Sequence, residues 1–185
     1  GDEMQFFKHK INPANDRLNE QDCLNIMAKM GFVGTGYSDF AGEFSADKIN
    51  INDTVENKDK YIRECMDVAY KDKDWNYNQI TVNNIRHFVF DMRSGDILMI
   101  PLTKQFSNEV HFVQVVNDDI INTKKDIPFF GEADIGFLRK VKILKSFEYG
   151  SLPDIIKNAI EDEKRKSTTV KIENQEVIMA ILDII

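Results

Sequence analysis

The sequence has few of the residues that build a covalently or metal-stapled scaffold. Two cysteines, Cys23 and Cys65, are too few for a disulfide framework. Each falls on an apolar helical stripe, which predicts two reduced thiols inside the fold. Neither they nor the three histidines, His9, His87 and His111, fall at a zinc-ligand spacing. Four prolines and nine glycines exclude collagen and low-complexity chains. No apolar run reaches the length of a membrane span. Gly1 to Phe7 is followed at once by Lys8-His9-Lys10, which does not read as a signal peptide. A cytoplasmic chain with no membrane partner, metal or other cofactor is the expectation.

What is present is the composition of a folded globule: 185 residues, 42% hydrophobic and 30% charged. That length suits one domain, read as residues 1–185 with a helical extension over 1–34 and a barrel with helices over 35–185. The net charge of -7 argues against a chain that coats nucleic acid indiscriminately. The charge is uneven, however. Residues 123–171 carry 11 basic and 8 acidic side chains, and the last 14 residues carry none and 3. An anionic partner would meet the 123–171 region; a mixed solvated surface is the plainer explanation.

The first half has helical spacing. Asn19 suits an N-cap with Glu20 and Asp22 in the first turn, and Gly31 suits the C-cap. Thr54 can cap a helix with the stripe Ile62, Cys65, Met66 and Ala69. Thr81 can cap another with Ile85, Phe88, Val89 and Met92 on one face. After the turn Arg93-Ser94-Gly95 the period changes to that of strands. Asp96–Pro101 is a short apolar strand. Glu109–Val116 is apolar on nearly both sides, which predicts a central strand. Gly136–Phe147 alternates, with Phe137, Arg139, Val141 and Ile143 on one side and Lys140 and Lys142 on the other. A helix opening at Leu152-Pro153, a strand over Thr168–Glu173 and a helix over Gln175–Ile185 complete the chain. The sum is α+β: a twisted antiparallel β-barrel with surrounding helices.

Catalytic motifs are weak. Gly31, Gly34 and Gly36 match no phosphate-binding loop. Asp72-x-Asp74-x-Asn76-x-Asn78 imitates a calcium loop, but Tyr77 stands where glycine makes the sharp turn and Asn83 where a bidentate glutamate is needed. Glu161-Asp162-Glu163-Lys164 has the letters of a magnesium nuclease but reads as a solvated helix end. No nucleophile elbow or Cys/His dyad is recognisable.

One ordered set of segments is more specific. The helix Ile85–Met92 runs into Met92-Arg93-Ser94-Gly95-Asp96-Ile97-Leu98-Met99-Ile100-Pro101. Then come Val110-His111-Phe112-Val113-Gln114-Val115-Val116 and Phe137-Leu138-Arg139-Lys140-Val141-Lys142-Ile143-Leu144. Leu152-Pro153 opening a helix and Thr168-Thr169-Val170 follow. Over roughly residues 35 to 185 this order resembles the PUA-like fold, in particular the EVE-like modules of prokaryotic restriction and defence proteins. The resemblance implies a binding module, not a catalyst: a nucleobase, sometimes a modified one, held beside the barrel. It implies DNA or RNA as partner, with a defence protein nearby. The alternative is a protein-interaction or scaffolding domain on the same fold.

The expected site is a cleft bounded by Tyr37 and Phe40, Trp75, His111, and Arg139 with Lys140. Trp75 or Tyr37 would supply a flat stacking surface. His111 would make one edge bond, and only one of Arg139 and Lys140 can line the cleft. The plainer reading makes Trp75 a core anchor and Arg139 a surface ion-pair partner.

Overall fold

A computed structural model describes residues 3–11, 18–102, 108–163 and 168–185. Pro13 and Lys164 lie outside them. The first four strands of the sheet are β1 (Phe6–His9), β2 (Phe32–Thr35), β3 (Ile97–Pro101) and β4 (Glu109–Val115). The sheet is completed by β5 (Ile121–Asn122), β6 (Phe137–Glu148) and β7 (Thr169–Ile172). The spatial order is β2-β6-β4-β3-β1-β7, with β5 also on β6. The sheet curls into a half-barrel with helices around it.

It is mixed rather than purely antiparallel. β1 runs parallel to β3, pairing Phe6 with Ile97, Phe7 with Leu98 and Lys8 with Met99. The 1–34 segment is therefore no helical extension. β1 lies between β3 and β7, and β2 pairs with β6.

Alternation along the central strands feeds two cores. Phe7, Leu98, Ile100, Val113 and Val115 point inward to the larger one, where Phe40, Phe44, Ile62, Ile85 and Phe88 meet them. Phe6, Ile97, Met99, Val110 and Phe112 point the other way, under α7 (Asp154–Glu163) and α8 (Gln175–Ile184). Burial on both faces explains the nearly continuous apolar reading of β3 and β4, and β4 is central as expected.

Local signals set most boundaries. Asn19 and Asp22 form a reciprocal capping box at the start of α1 (Glu20–Asn25), and Gly31, at φ 77°, ends the π turn Ile26–Met30 that continues it. Thr54 caps α3 (Val55–Ala69). The helix expected to start at Thr81 begins earlier: Asn78 is the cap of α4 (Gln79–Arg86), and Thr81 supplies the N–H that it accepts. α4 continues as a wide π turn over His87–Asp91. At Gly95, φ 94° requires glycine, and Asp96 accepts the Arg93 N–H at 2.7 Å. Asp96 also accepts the Gln5 N–H at 2.9 Å, which ties the entry of β1 to this turn. Both cysteines are free, Cys65 buried and Cys23 partly so. Among the described residues no helix is long and apolar enough to cross a membrane.

Candidate functional site

β2 leads into Gly36 and Tyr37, which precedes the short helix α2 (Ser38–Glu43). Two further short helices, α5 (Thr123–Asp126) and α6 (Pro128–Glu132), lead to Asp134 and the start of β6. Where these meet the end of α3 there is a cleft of about 520 Å³. Tyr37, Tyr70 and Trp75 line it with Asp39, Asp134, Lys10 and Lys73.

The aromatic rings pack as a cluster along one wall. Tyr37 and Trp75 are parallel to within 9°, with centroids 6.4 Å apart. Tyr70 stands at 90° to Trp75, at 4.8 Å. Trp75 is 40% exposed, so a flat group can reach it. Tyr37 is held from behind: its hydroxyl accepts from Asn84 Nδ2 at 3.4 Å, and Asn84 Oδ1 accepts the Thr169 N–H at 3.2 Å. Burial raises the pKa of the Tyr37 and Tyr70 phenols. The rings are neutral donors at ordinary pH.

Two residues in the described chain adopt positive φ without being glycine, and both line this cleft: Tyr37 at 64° and Asp134 at 56°. Such backbone costs roughly 1–2 kcal/mol for an L side chain and concentrates at functional positions. The two are coupled, because Asp134 Oδ1 accepts both the Ser38 N–H (3.1 Å) and the Ser38 hydroxyl (2.9 Å). Asp39 is covered by lysines: Lys73 Nζ lies at 2.6 Å and Lys124 Nζ at 3.8 Å.

Of the residues expected at the site, the structure brings together Tyr37 and Trp75 only. Phe40 is fully buried, packed against Phe44 and Phe137. It faces the core because α2 is amphipathic and Phe40 and Ala41 are on its inner side. His111 lies outside the cleft, with Nδ1 2.6 Å from Ser146 Oγ and Nε2 3.2 Å from Glu109 Oε2. Arg139 is neither a cleft residue nor a surface ion-pair partner: it is fully buried. Its Nε donates to Phe88 O and Nη2 to Val89 O, both at 3.0 Å, and Nη1 donates to Asp118 O (3.1 Å) and Asp119 O (3.3 Å). Burial pulls its pKa down to about 10, so it is still charged at neutral pH. Lys140 is exposed on β6, in register with Phe32 at the cleft wall. Tyr70, Asp39, Asp134, Lys10 and Lys73 were not singled out by sequence. The polar loop that imitates a calcium site serves instead to present Trp75 and to cap α4 through Asn78.

His9 supports the cleft wall from beneath. Its Nε2 lies 2.8 Å from Gly34 O, which can only accept, so the proton is on Nε2. Thr169 Oγ1 then donates to Nδ1 at 2.9 Å. The ring is fully buried and stacks on Phe88, and burial lowers its pKa to about 4. The unfolded chain takes up a proton near pH 6.5 that the folded chain refuses until about pH 4. His9 therefore lowers stability progressively as pH falls through that window, by up to about 3 kcal/mol. The advantage of the parent over His9→Gln should shrink by that amount between pH 6.5 and 4 in urea titrations. A constant difference would show that His9 does not titrate this way.

No family model matches the chain, and no curated protein shows significant similarity to it.

Proposed function

We propose that the chain is a non-catalytic nucleic-acid-binding module of PUA-like, EVE-like type that stacks a nucleobase on the exposed Trp75 ring in the cleft lined by Tyr37, Tyr70 and Trp75. A bacterial defence or restriction setting fits this reading. The observation that carries it is the 40% exposed Trp75 ring in a cleft walled by Tyr37, parallel to it, and Tyr70, perpendicular to it. A base is flat and has a π face on both sides. It gains roughly 1–3 kcal/mol by stacking on an aromatic side chain, without regard to sequence. Carboxylates and lysines balance in the cleft, so it offers no net positive charge to a phosphate, and the strand's backbone runs outside it. With Arg139 withdrawn into the core, exposed lysines such as Lys140 are left to meet the backbone.

Trp75→Ala should weaken binding to single-stranded DNA or RNA by roughly 5- to 150-fold, the equivalent of one stacked base. Trp75 is 40% exposed, so its removal should lower stability by less than about 2 kcal/mol. Fluorescence anisotropy at several salt concentrations, with a thermal melt of each protein, measures both. Salt-independent absence of binding by the parent would favour the scaffolding alternative. Displacement of the strand by tetramethylammonium would mean a cage for a cationic group. If Trp75→Ala unfolds the protein, Trp75 is a core anchor.

A further inference from the structure

Asp134 occupies a position where its residue type needs a reason. It ends α6 in the left-handed conformation, φ 56°, with the Ile135 N–H reaching back to Phe130 O at 2.8 Å. Helices that end this way use glycine, or sometimes asparagine, because those residues adopt positive φ at little cost. Half of the carboxylate is accounted for: Oδ1 accepts both Ser38 donors and so ties the end of α6 to the start of α2. Oδ2 accepts no hydrogen bond among the described residues and no lysine or arginine there is within ion-pair distance of it, although Asp134 lines the cleft and its charge reaches Lys73. Its position among the aromatic walls is also felt electrostatically, since its charge helps to raise the phenols of Tyr37 and Tyr70. Asp39, by contrast, is covered by Lys73 and Lys124.

A ring stacked in the cleft must present an edge to an acceptor that cannot donate. An exocyclic amine satisfies it. A carbonyl oxygen in the same place would set lone pairs against a negative charge. Resting on the base-binding reading above, we propose that Asp134 Oδ2 makes the cleft select amino-bearing bases over their oxo counterparts: cytosine over uracil, and adenine over hypoxanthine. Within each pair the exocyclic amine becomes an oxygen and the neighbouring ring nitrogen gains a hydrogen, while stacking area and shape stay nearly constant; the proposal places Oδ2 opposite the exocyclic group.

The test compares short single-stranded oligonucleotides, identical except for a central dC, dU, dA or deoxyinosine, by fluorescence anisotropy. The parent should prefer dC over dU, and dA over deoxyinosine, by about tenfold, as expected for a hydrogen bond to a charged group. In Asp134→Asn the side-chain oxygen can still accept from Ser38, while the amide places a donor where Oδ2 stood. The preference should then vanish or reverse. Asp134→Gly suits the backbone conformation and removes both oxygens, so it should also abolish the preference, and it remains informative if the asparagine variant folds poorly. Equal binding of both members of each pair by the parent overturns the proposal and leaves base binding standing. A preference that persists in both variants overturns it too, because the discrimination then comes from elsewhere. Binding of none of the four strands by the parent overturns the base-binding reading and this proposal with it.

Discussion

Arg139→Leu should lose about 3–5 kcal/mol of stability, a large share of the roughly 5–15 kcal/mol that holds a domain of this size together. The guanidinium is fully buried and donates to four carbonyls on two remote segments. Two of them, Phe88 O and Val89 O, lie in the final turn of the α4 helix, where carbonyls lack partners within the helix. The other two, Asp118 O and Asp119 O, belong to the turn after β4. Leucine fills part of the volume but leaves these acceptors buried without a donor, at about 1–3 kcal/mol each where no water can enter. Lysine would restore a charge but not the fork that reaches both segments at once, so Arg139→Lys should recover only part of the loss. Urea denaturation of the three proteins measures it. A cost below about 1 kcal/mol for Arg139→Leu would mean that the carbonyls are hydrated and that Arg139 does not pin the helix end.

That residue also shows where sequence reading reached its limit. The run Arg139-Lys140-Val141-Lys142 correctly gave a strand with Lys140 and Lys142 facing out. It also put Arg139 on the side of Phe137 and Val141, which are buried. What it could not give was a destination for the guanidinium, because the four acceptors lie 20 to 51 residues away. β1 escaped for the same reason. Phe6-Phe7-Lys8-His9 is short and half polar, yet all four residues are buried. Its partners are β3, about 91 residues on, and β7, and such parallel or remote pairing has no local signature. β4 was legible as a central strand because burial on both faces removes the alternation of polar and apolar residues, which is visible locally.

The site divides along the same line. Tyr37 and Trp75 were found because they are aromatic residues in segments rich in glycine or polar residues. Phe40 was drawn into the same set although it lies on the inner side of α2. Tyr70 is the last residue before a polar loop, and its place beside Trp75 depends on how that loop turns back. Asp134 carries no pattern at all: only its backbone conformation and its bond to Ser38 mark it.

Gly136→Ala should be the most damaging single methyl added behind the cleft wall, and it tests how the two strained residues are held. A Cβ at Gly136 would lie 2.7 Å from Gly36 O, 2.9 Å from Tyr37 O and 3.0 Å from Tyr37 C. All three are backbone atoms, so no side chain can turn aside. The glycine also anchors the crossing: its N–H lies 2.9 Å from Thr35 O and 3.2 Å from Gly36 O, and its carbonyl accepts the Thr123 N–H at 2.9 Å. Forcing the strands apart should cost about 2–4 kcal/mol, an overpacking cost together with weakened hydrogen bonds. It should also move Tyr37 away from Trp75, so binding should fall along with stability. Gly34→Ala meets side-chain atoms, Ile135 Cγ2 at 2.7 Å and Leu138 Cδ2 at 3.2 Å, which have some freedom to give. Gly150→Ala meets nothing within 4 Å and should be neutral or gain up to about 1 kcal/mol through the unfolded chain. The expected order of damage is Gly136, then Gly34, with Gly150 harmless. Trp75 is the sole tryptophan, so its emission reports its packing with Tyr37 and Tyr70 directly while urea titration reports stability. The Gly136→Ala protein should show a shifted emission in the folded baseline as well as an earlier midpoint. A variant within about 0.5 kcal/mol of the parent, with unchanged Trp75 emission, would mean that the crossing relaxes freely and does not hold Tyr37 in place.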